Sequence, residues 1–373
     1  MDRKTIGLLC MLFANLLVPG GYALAQSADA IDLINRLGLR ESATASRDLP
    51  NWRKPDKVVV LADSTDRVEW LAEVAPGVEL VAVASPGAIL PEIGDAQALV
   101  GFCMLSAFKA GTELIWVQSM SAGVGRCTRD NTLKDRGILL TNAQRLYGPA
   151  MSEHTIALLL ALNRRFDQFI KRQAQESWVR SVEHGDSGTW ELPGRTMLVV
   201  GLGGIGTEVA RKAHALGMRV IATRNSRREG PEFVEYVGLA DELMKLVPQA
   251  DVVVNVTPLT PATTGLFDAA FFKAMKPTAY FINIGRGRSV VTVDLVAALE
   301  RGELAGAGLD VTDPEPLPAG HALWSIPRVI ITPHVSARSE KSLDRLWILV
   351  KENLRRYVAG EPMLSVVDLE RGY

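Results

Sequence analysis

An apolar run, Leu198-Val199-Val200, passes directly into Gly201-Leu202-Gly203-Gly204-Ile205-Gly206, and residues 207–215 continue with helical periodicity. Strand, glycine turn and helix in that order point to a βαβ unit, because parallel strands need a helical crossover. Gly201 permits the tight turn, Gly203 lets the backbone approach a pyrophosphate, and Gly206 lets the helix pack on the strand. Gly204 and Ile205 open the helix, whose free N–H groups and partial positive charge suit phosphate. The loop therefore predicts a bound dinucleotide. The competing reading is a glycine-rich turn that holds no ligand.

The rest of the chain repeats the pattern. Apolar stretches at 219–223, 251–256, 279–284, 306–309 and 329–332 alternate with helical segments, which predicts a parallel, doubly wound α/β sheet. A smaller α/β set precedes it, with strands expected at 58–61, 78–83, 98–102 and 114–118. Helices are expected over 31–37, 151–165 and 340–357. A length of 373 residues accommodates two ordinary domains. With 47% hydrophobic and 22% charged residues, wholesale disorder is excluded. A net charge of -1 argues against non-specific nucleic-acid binding.

The N-terminus follows a different logic. Arg3 and Lys4 precede an apolar stretch over 6–18, then Pro19-Gly20-Gly21 and the small-residue triplet Ala23-Leu24-Ala25. This is the layout of a cleavable export signal ending at residue 25, which predicts a periplasmic or secreted protein. The run is shorter than the roughly 20 residues of a membrane span, so no stable membrane insertion is expected after processing. A short membrane anchor or a misassigned start codon are the alternatives, and an unused signal would leave the protein cytoplasmic. Cys10, Cys103 and Cys127 match no zinc or CxxC spacing, and no metal site is expected. Cys103 and Cys127 are expected to be plain buried thiols; their spacing does not say whether they approach one another.

The second strand of the larger unit ends Thr223-Arg224-Asn225-Ser226-Arg227-Arg228. An acidic residue near Arg224 would hydrogen-bond the ribose 2′-hydroxyl of NAD, and none is there. Arginine instead forms planar, charge-assisted bonds to phosphate. The expected cofactor is NADP(H), its 2′-phosphate held by Arg224, Ser226 and Arg227, with NAD still possible. A solvated basic turn is the bland alternative.

Three further side chains fall at the ends of predicted strands. Arg286 stands between Gly285 and Gly287 and can grip a carboxylate without losing its proton. Residues 308–316 carry Asp310, Asp313 and Glu315 in a proline-restrained loop. His334 follows Thr332-Pro333, and a carboxylate beside it makes an acid–base pair. Among the other histidines, His154 is expected to cap or pack, His184 and His214 to lie at the surface, and His321 to sit in a loop near the cleft.

Together these segments closely resemble the D-isomer-specific 2-hydroxyacid dehydrogenase family, from about residue 55 onward. The matching stretches are Trp116-Val117-Gln118-Ser119-Met120-Ser121-Ala122-Gly123-Val124, Gly201–Gly206, Thr257-Pro258-Leu259-Thr260-Pro261, Met275-Lys276-Pro277, Asn283-Ile284-Gly285-Arg286-Gly287, Gly308-Leu309-Asp310-Val311 and Thr332-Pro333-His334. The resemblance implies Arg286 as the substrate-binding arginine, His334 as proton donor and Glu315 as its paired acid. It implies Asp310, Thr257 and Pro258 near the cofactor, and Gly101, Phe102 and Cys103 in a loop facing the substrate carboxylate. Thr312 and Asp313 depart from the Phe-Glu common in the family. The implied fold is two Rossmann-like doubly wound lobes with a cleft between them. The substrate lobe would span 26–150 and regain the C-terminal segment 338–373; the cofactor lobe would span 151–337. A homodimer is implied, as is hydride transfer between nicotinamide and a small 2-oxo or D-2-hydroxy acid of the glyoxylate or hydroxypyruvate type. A non-catalytic NAD(P)-binding sensor on the same scaffold is the alternative. Formate is disfavoured because Glu315 stands where formate enzymes of the family carry Gln; the triad does not exclude phosphite. Export sits awkwardly with this chemistry, because little free NADPH exists outside the cytoplasm.

Overall fold

The structure, a computed structural model, describes residues 25–178 and 189–371. The signal segment through residue 24, with Cys10, and His184 lie outside the described residues.

Two parallel sheets organise the described chain. The first contains β2 (Lys57–Leu61), β3 (Glu79–Val83), β4 (Ala98–Gly101), β5 (Trp116–Ser119) and β6 (Leu139–Thr141), ordered β3-β2-β4-β5-β6. The second contains β7 (Thr196–Val200), β8 (Arg219–Arg224), β9 (Tyr236–Leu239), β10 (Val252–Asn255), β11 (Tyr280–Asn283), β12 (Gly306–Leu309) and β13 (Val329–Ile331), ordered β13-β12-β11-β10-β7-β8-β9. Val58, Val59 and Val60 are fully buried, as are Val252, Val253 and Val254. Unbroken apolar runs of this kind belong to strands covered on both faces. In the larger sheet the direction of strand succession reverses between β7 and β10, and ligands of such sheets bind beyond the strand ends at that point.

The predicted strands are all present, with ends shifted by no more than two residues. Within these two sheets, two strands went unpredicted. β6 is three residues long, and β9, Tyr-Val-Gly-Leu, carries Gly238, so neither offers a periodic run. A third element, the antiparallel pair of β1 (Glu41–Ala45) and β14 (Pro362–Leu364), joins the two ends of the described chain.

The helix Gly148–Asn163 carries Pro149 in its first turn and buries Leu158, Leu159 and Leu162 against the second sheet. Gly308 lets it approach β12: a Cβ there would stand 3.1 Å from that of Leu158. The C-terminal helix Glu340–Ala359 returns to the first sheet, where Leu346, Trp347, Leu349, Val350, Leu354 and Tyr357 share a core with Val58, Val60, Val100 and Trp116. Tyr357 stacks on Trp116 at 4.7 Å between centroids. Asn353 donates to Gln118 Oε1 at 2.7 Å and to the Leu364 carbonyl at 3.1 Å.

Cys103 and Cys127 are joined in a disulfide, with Cα atoms 4.8 Å apart, which corrects the expectation of two plain thiols. β4 and β5 are adjacent and in register, Gly101 opposite Ser119, so the segments leaving their ends stay side by side. That proximity is a property of the sheet and not of the cysteine spacing. Among the described residues, no helix is long and apolar enough to cross a membrane.

Candidate active site

The glycine loop leaves β7 at its carboxyl end. Gly201 adopts φ +103°, and a Cβ there would stand 3.0 Å from the Val256 carbonyl. At Gly206 a Cβ would come within 2.2 Å of the Gly201 carbonyl, so only glycine lets the helix Gly204–Ala215 seat on its loop. Gly203, the residue ahead of that helix, has open space on its Cβ side. A tight loop, a free face and a helix N-terminus fit a pyrophosphate. Ile205 is half-buried. Gly204 meets the side chain of Arg145, whose Cγ lies 2.4 Å from where a Cβ would be.

At the end of β8, Arg224 donates from Nε to the Leu202 carbonyl at 2.7 Å and from Nη1 to the Glu229 carbonyl at 2.8 Å. These bonds fold the guanidinium back onto the glycine loop. Ser226 and Arg227 are exposed beside it. Thr257 is buried, and both its N–H and its hydroxyl donate to Asn255 Oδ1, at 3.0 and 2.7 Å. Pro258 accepts from the Thr263 hydroxyl through its carbonyl at 2.6 Å.

Asn255 and Asn283, at the ends of β10 and β11, are coupled: Asn255 Nδ2 donates to Asn283 Oδ1 at 2.9 Å and to Ser289 Oγ at 2.7 Å. Asn283 Nδ2 in turn donates to the Arg286 carbonyl at 3.1 Å, and Ser289 Oγ to the same carbonyl at 2.6 Å. This network fixes the backbone from which Arg286 projects. The sequence reading gave these asparagines no role; the available signal was an amide closing each of two neighbouring apolar strands.

Arg286 is half-buried and donates from Nη1 to the Gly285 carbonyl at 2.6 Å. Burial pushes its pKa down, opposed by the negative charge of Glu315. The glycine after it is sterically required: a Cβ at Gly287 would collide with the Thr312 carbonyl at 1.8 Å. Across from it lies Gly123, where a Cβ would stand 1.9 Å from Arg286 Nη2. The loop after β5 therefore abuts the guanidinium. That loop is tied to the segment 101–103 by the Met120 N–H donating to the Gly101 carbonyl at 2.9 Å and by the disulfide. Phe102 is 47% exposed.

His334 Nδ1 lies 2.7 Å from Glu315 Oε1, with both side chains about half exposed. The histidine adopts φ 54°, a left-handed conformation that costs a non-glycine residue energy. Asp310 holds it there. Its backbone carbonyl accepts the His334 N–H at 2.9 Å. Its carboxylate accepts from the Thr332 hydroxyl at 2.7 Å, the Val335 N–H at 2.9 Å and the Ser336 N–H at 3.1 Å. Burial alone raises the pKa of such a carboxyl, but these bonds outweigh it and hold Asp310 below the ordinary range.

Among the described residues, the other histidines have structural contacts. His154 Nε2 sits 2.9 Å from Thr332 Oγ1. His321 Nδ1 accepts from the Leu323 N–H at 3.2 Å, and exposed His214 lies against Phe233. The structure thus brings Glu315 and His334 together, sets Arg286 within the field of Glu315, and places the 123 loop against Arg286.

Residues 156–336 match the profile of the D-isomer specific 2-hydroxyacid dehydrogenase family, NAD binding domain. Human glyoxylate reductase/hydroxypyruvate reductase is 34% identical over 260 residues, covering 70% of this chain and 79% of that protein. Glyoxylate reductase of Pyrococcus furiosus is 33% identical over 298 residues, covering 76% and 85%. Among solved structures, the NADPH-dependent glyoxylate/hydroxypyruvate reductase of Sinorhizobium meliloti, in complex with NADP and sulfate, superimposes with a TM-score of 0.71 at 30% identity. It covers 85% of this chain and all of that one.

Proposed function

The chain belongs to the D-isomer-specific 2-hydroxyacid dehydrogenase family and is an oxidoreductase, and from that premise we propose that it reduces a small 2-oxo acid with NADP(H). The substrate class is that of glyoxylate and hydroxypyruvate, the named substrates of the human relative and of the Sinorhizobium enzyme. The observation that carries the reading is the 2.7 Å pairing of His334 with Glu315, beside an Arg286 that feels the same carboxylate.

Bound nicotinamide supplies the hydride that reaches C2 of the substrate. Arg286 binds the carboxylate and draws electron density from the adjacent oxo group. His334, protonated and held through Nδ1, donates from Nε2 to the oxygen as the carbonyl becomes an alcohol. Glu315, bonded to Nδ1, keeps the ring oriented. Hydride and proton together convert the oxo acid to the hydroxy acid. Gly101, Phe102, Cys103 and the 123 loop border the carboxylate, and the two sheets act as lobes that close to exclude water.

The NADP(H) preference is supported by Arg224, Ser226 and Arg227 and by the absence of an acidic residue at the end of β8. Steady-state kinetics with glyoxylate and hydroxypyruvate, comparing NADPH and NADH, test the reading. His334→Ala and Arg286→Ala are expected to lower kcat/KM by about 10²–10⁴-fold while NADPH binding persists. Near-normal turnover in both, or a clear NADH preference, overturns the assignment. Export, with cofactor carried in the folded protein, fits the disulfide, since such bonds persist in oxidising compartments. Mass spectrometry of the mature N-terminus decides it: a start at residue 26 is expected, and an intact Met1 removes the claim.

A further inference from the structure

Arg145 is an unusual residue by its backbone and its placement. It adopts φ 69°, and its side chain lies along Gly204, the first residue of the pyrophosphate helix, from the opposite sheet's side of the molecule. Its Nη1 reaches the Leu37 carbonyl at 3.3 Å, beside Gly38, which caps the helix Ala28–Leu37. Two residues on, exposed Arg40 has its backbone pinned by the Ser365 N–H donating to its carbonyl at 3.0 Å.

These two arginines share their surroundings with the pair at the end of β8. Burial first, and then the positive charges of Arg40 and Arg227, depress Arg145, with Glu208 opposing. Burial, and then Arg227, Arg40 and Arg145, depress Arg224, with Glu229 opposing. Glu208 is itself engaged by Arg211 at 3.4 Å. Among the described residues, none of the four guanidiniums has a carboxylate within ion-pair distance. Like charges gathered at one place repel, and an anion seated among them removes that cost.

We propose that Arg40 and Arg145 complete, with Arg224 and Arg227, a four-guanidinium cage for the 2′-phosphate of NADP(H), so that this phosphate bridges the two sheets' units. The inference rests on the NADP(H) reading and extends it to residues that lie outside the dinucleotide fold. Arg224 and Arg227 would contribute recognition within one unit; Arg40 and Arg145 make recognition depend on the other unit being in place. NADP(H) then draws the two units together, and NAD(H) does not.

Isothermal titration calorimetry of the full chain with 2′,5′-ADP and with ADP, without substrate, tests this. The wild-type protein is expected to bind 2′,5′-ADP more tightly. Arg40→Gln and Arg145→Gln are each expected to weaken 2′,5′-ADP by about tenfold, the loss of one charge-assisted bond, and ADP by less than about twofold. Arg36→Gln, on the helix that precedes Arg40 and paired with Asp32, serves as the control and is expected to change neither. Retained ADP binding reports that a variant is folded; if Arg145→Gln does not fold, exposed Arg40 carries the test. Equal losses for both ligands would assign the pair to the diphosphate and overturn the proposal, as would no loss. A wild-type protein that does not distinguish the two ligands overturns the NADP(H) reading itself.

Discussion

Asp310 shows how one side chain can fix the backbone of another. Its carboxylate and carbonyl together collect four donors from residues 332–336 and hold His334 in a left-handed backbone conformation. Because its folded pKa is depressed, it contributes stability above the ordinary carboxylate value of about 3.9, and loses that contribution as pH falls through the lower folded value. Asp310→Asn is expected to cost about 1–3 kcal/mol, because an amide cannot accept all of these bonds, and to flatten the acid limb of the stability curve. Denaturant melts of the two proteins from pH 7 to pH 3 check this; parallel curves would refute it. Arg286 and His334 stood out in the sequence because each follows an apolar run and is of a chemically telling type, whereas Glu315 was separated from Asp310 and Asp313 only by the family resemblance. Arg145 and Gly123 did not stand out, because their meaning lies in what faces them across the molecule. Gly123 was read as part of a matching stretch, but its contact with Arg286 has no local signature.

At the scale of elements, the larger sheet was readable from alternating apolar runs and the glycine loop, while β9, β6 and the β1–β14 pair were not. Their residues are too few to establish a period, and β14 exists only because its partner lies some 320 residues earlier in the chain. The same dependence on neighbours explains the disulfide. It closes a stretch with a sequence separation of 24 and clamps the 101–103 segment to the loop that abuts Arg286. Chain-entropy arguments put its contribution at about 3 kcal/mol. Cys127→Ser, or reduction by dithiothreitol, is expected to lower the melting temperature and to raise KM for the 2-oxo acid while leaving NADPH affinity within about twofold. Unchanged KM would show that the clamp does not reach the substrate side.

For the molecule as a whole, the C-terminal helix is a core component of the first sheet's unit and not an appendage. Twelve of its residues are buried, and they include Arg355 and Arg356, which pair with the equally buried Glu352. Removing residues 338–373 would uncover Trp116 and leave Gln118 without Asn353. The truncated protein is expected to lose cooperative unfolding of the first sheet while the second keeps its protection. Hydrogen exchange would reveal this as rapid exchange confined to β2 through β6, and uniform protection would contradict it.

The return of the chain also sets a schedule. Synthesis proceeds from the N-terminus, so residues 57–141 emerge first, yet the helix that covers them is nearly the last segment made. The second sheet can finish while the ribosome is still working; the first sheet's unit waits, apolar face open, for the end of the message. The nascent chain is therefore expected to keep that face open until residues 340–359 have emerged, and a frameshift ahead of them would strip the cover from a part translated early.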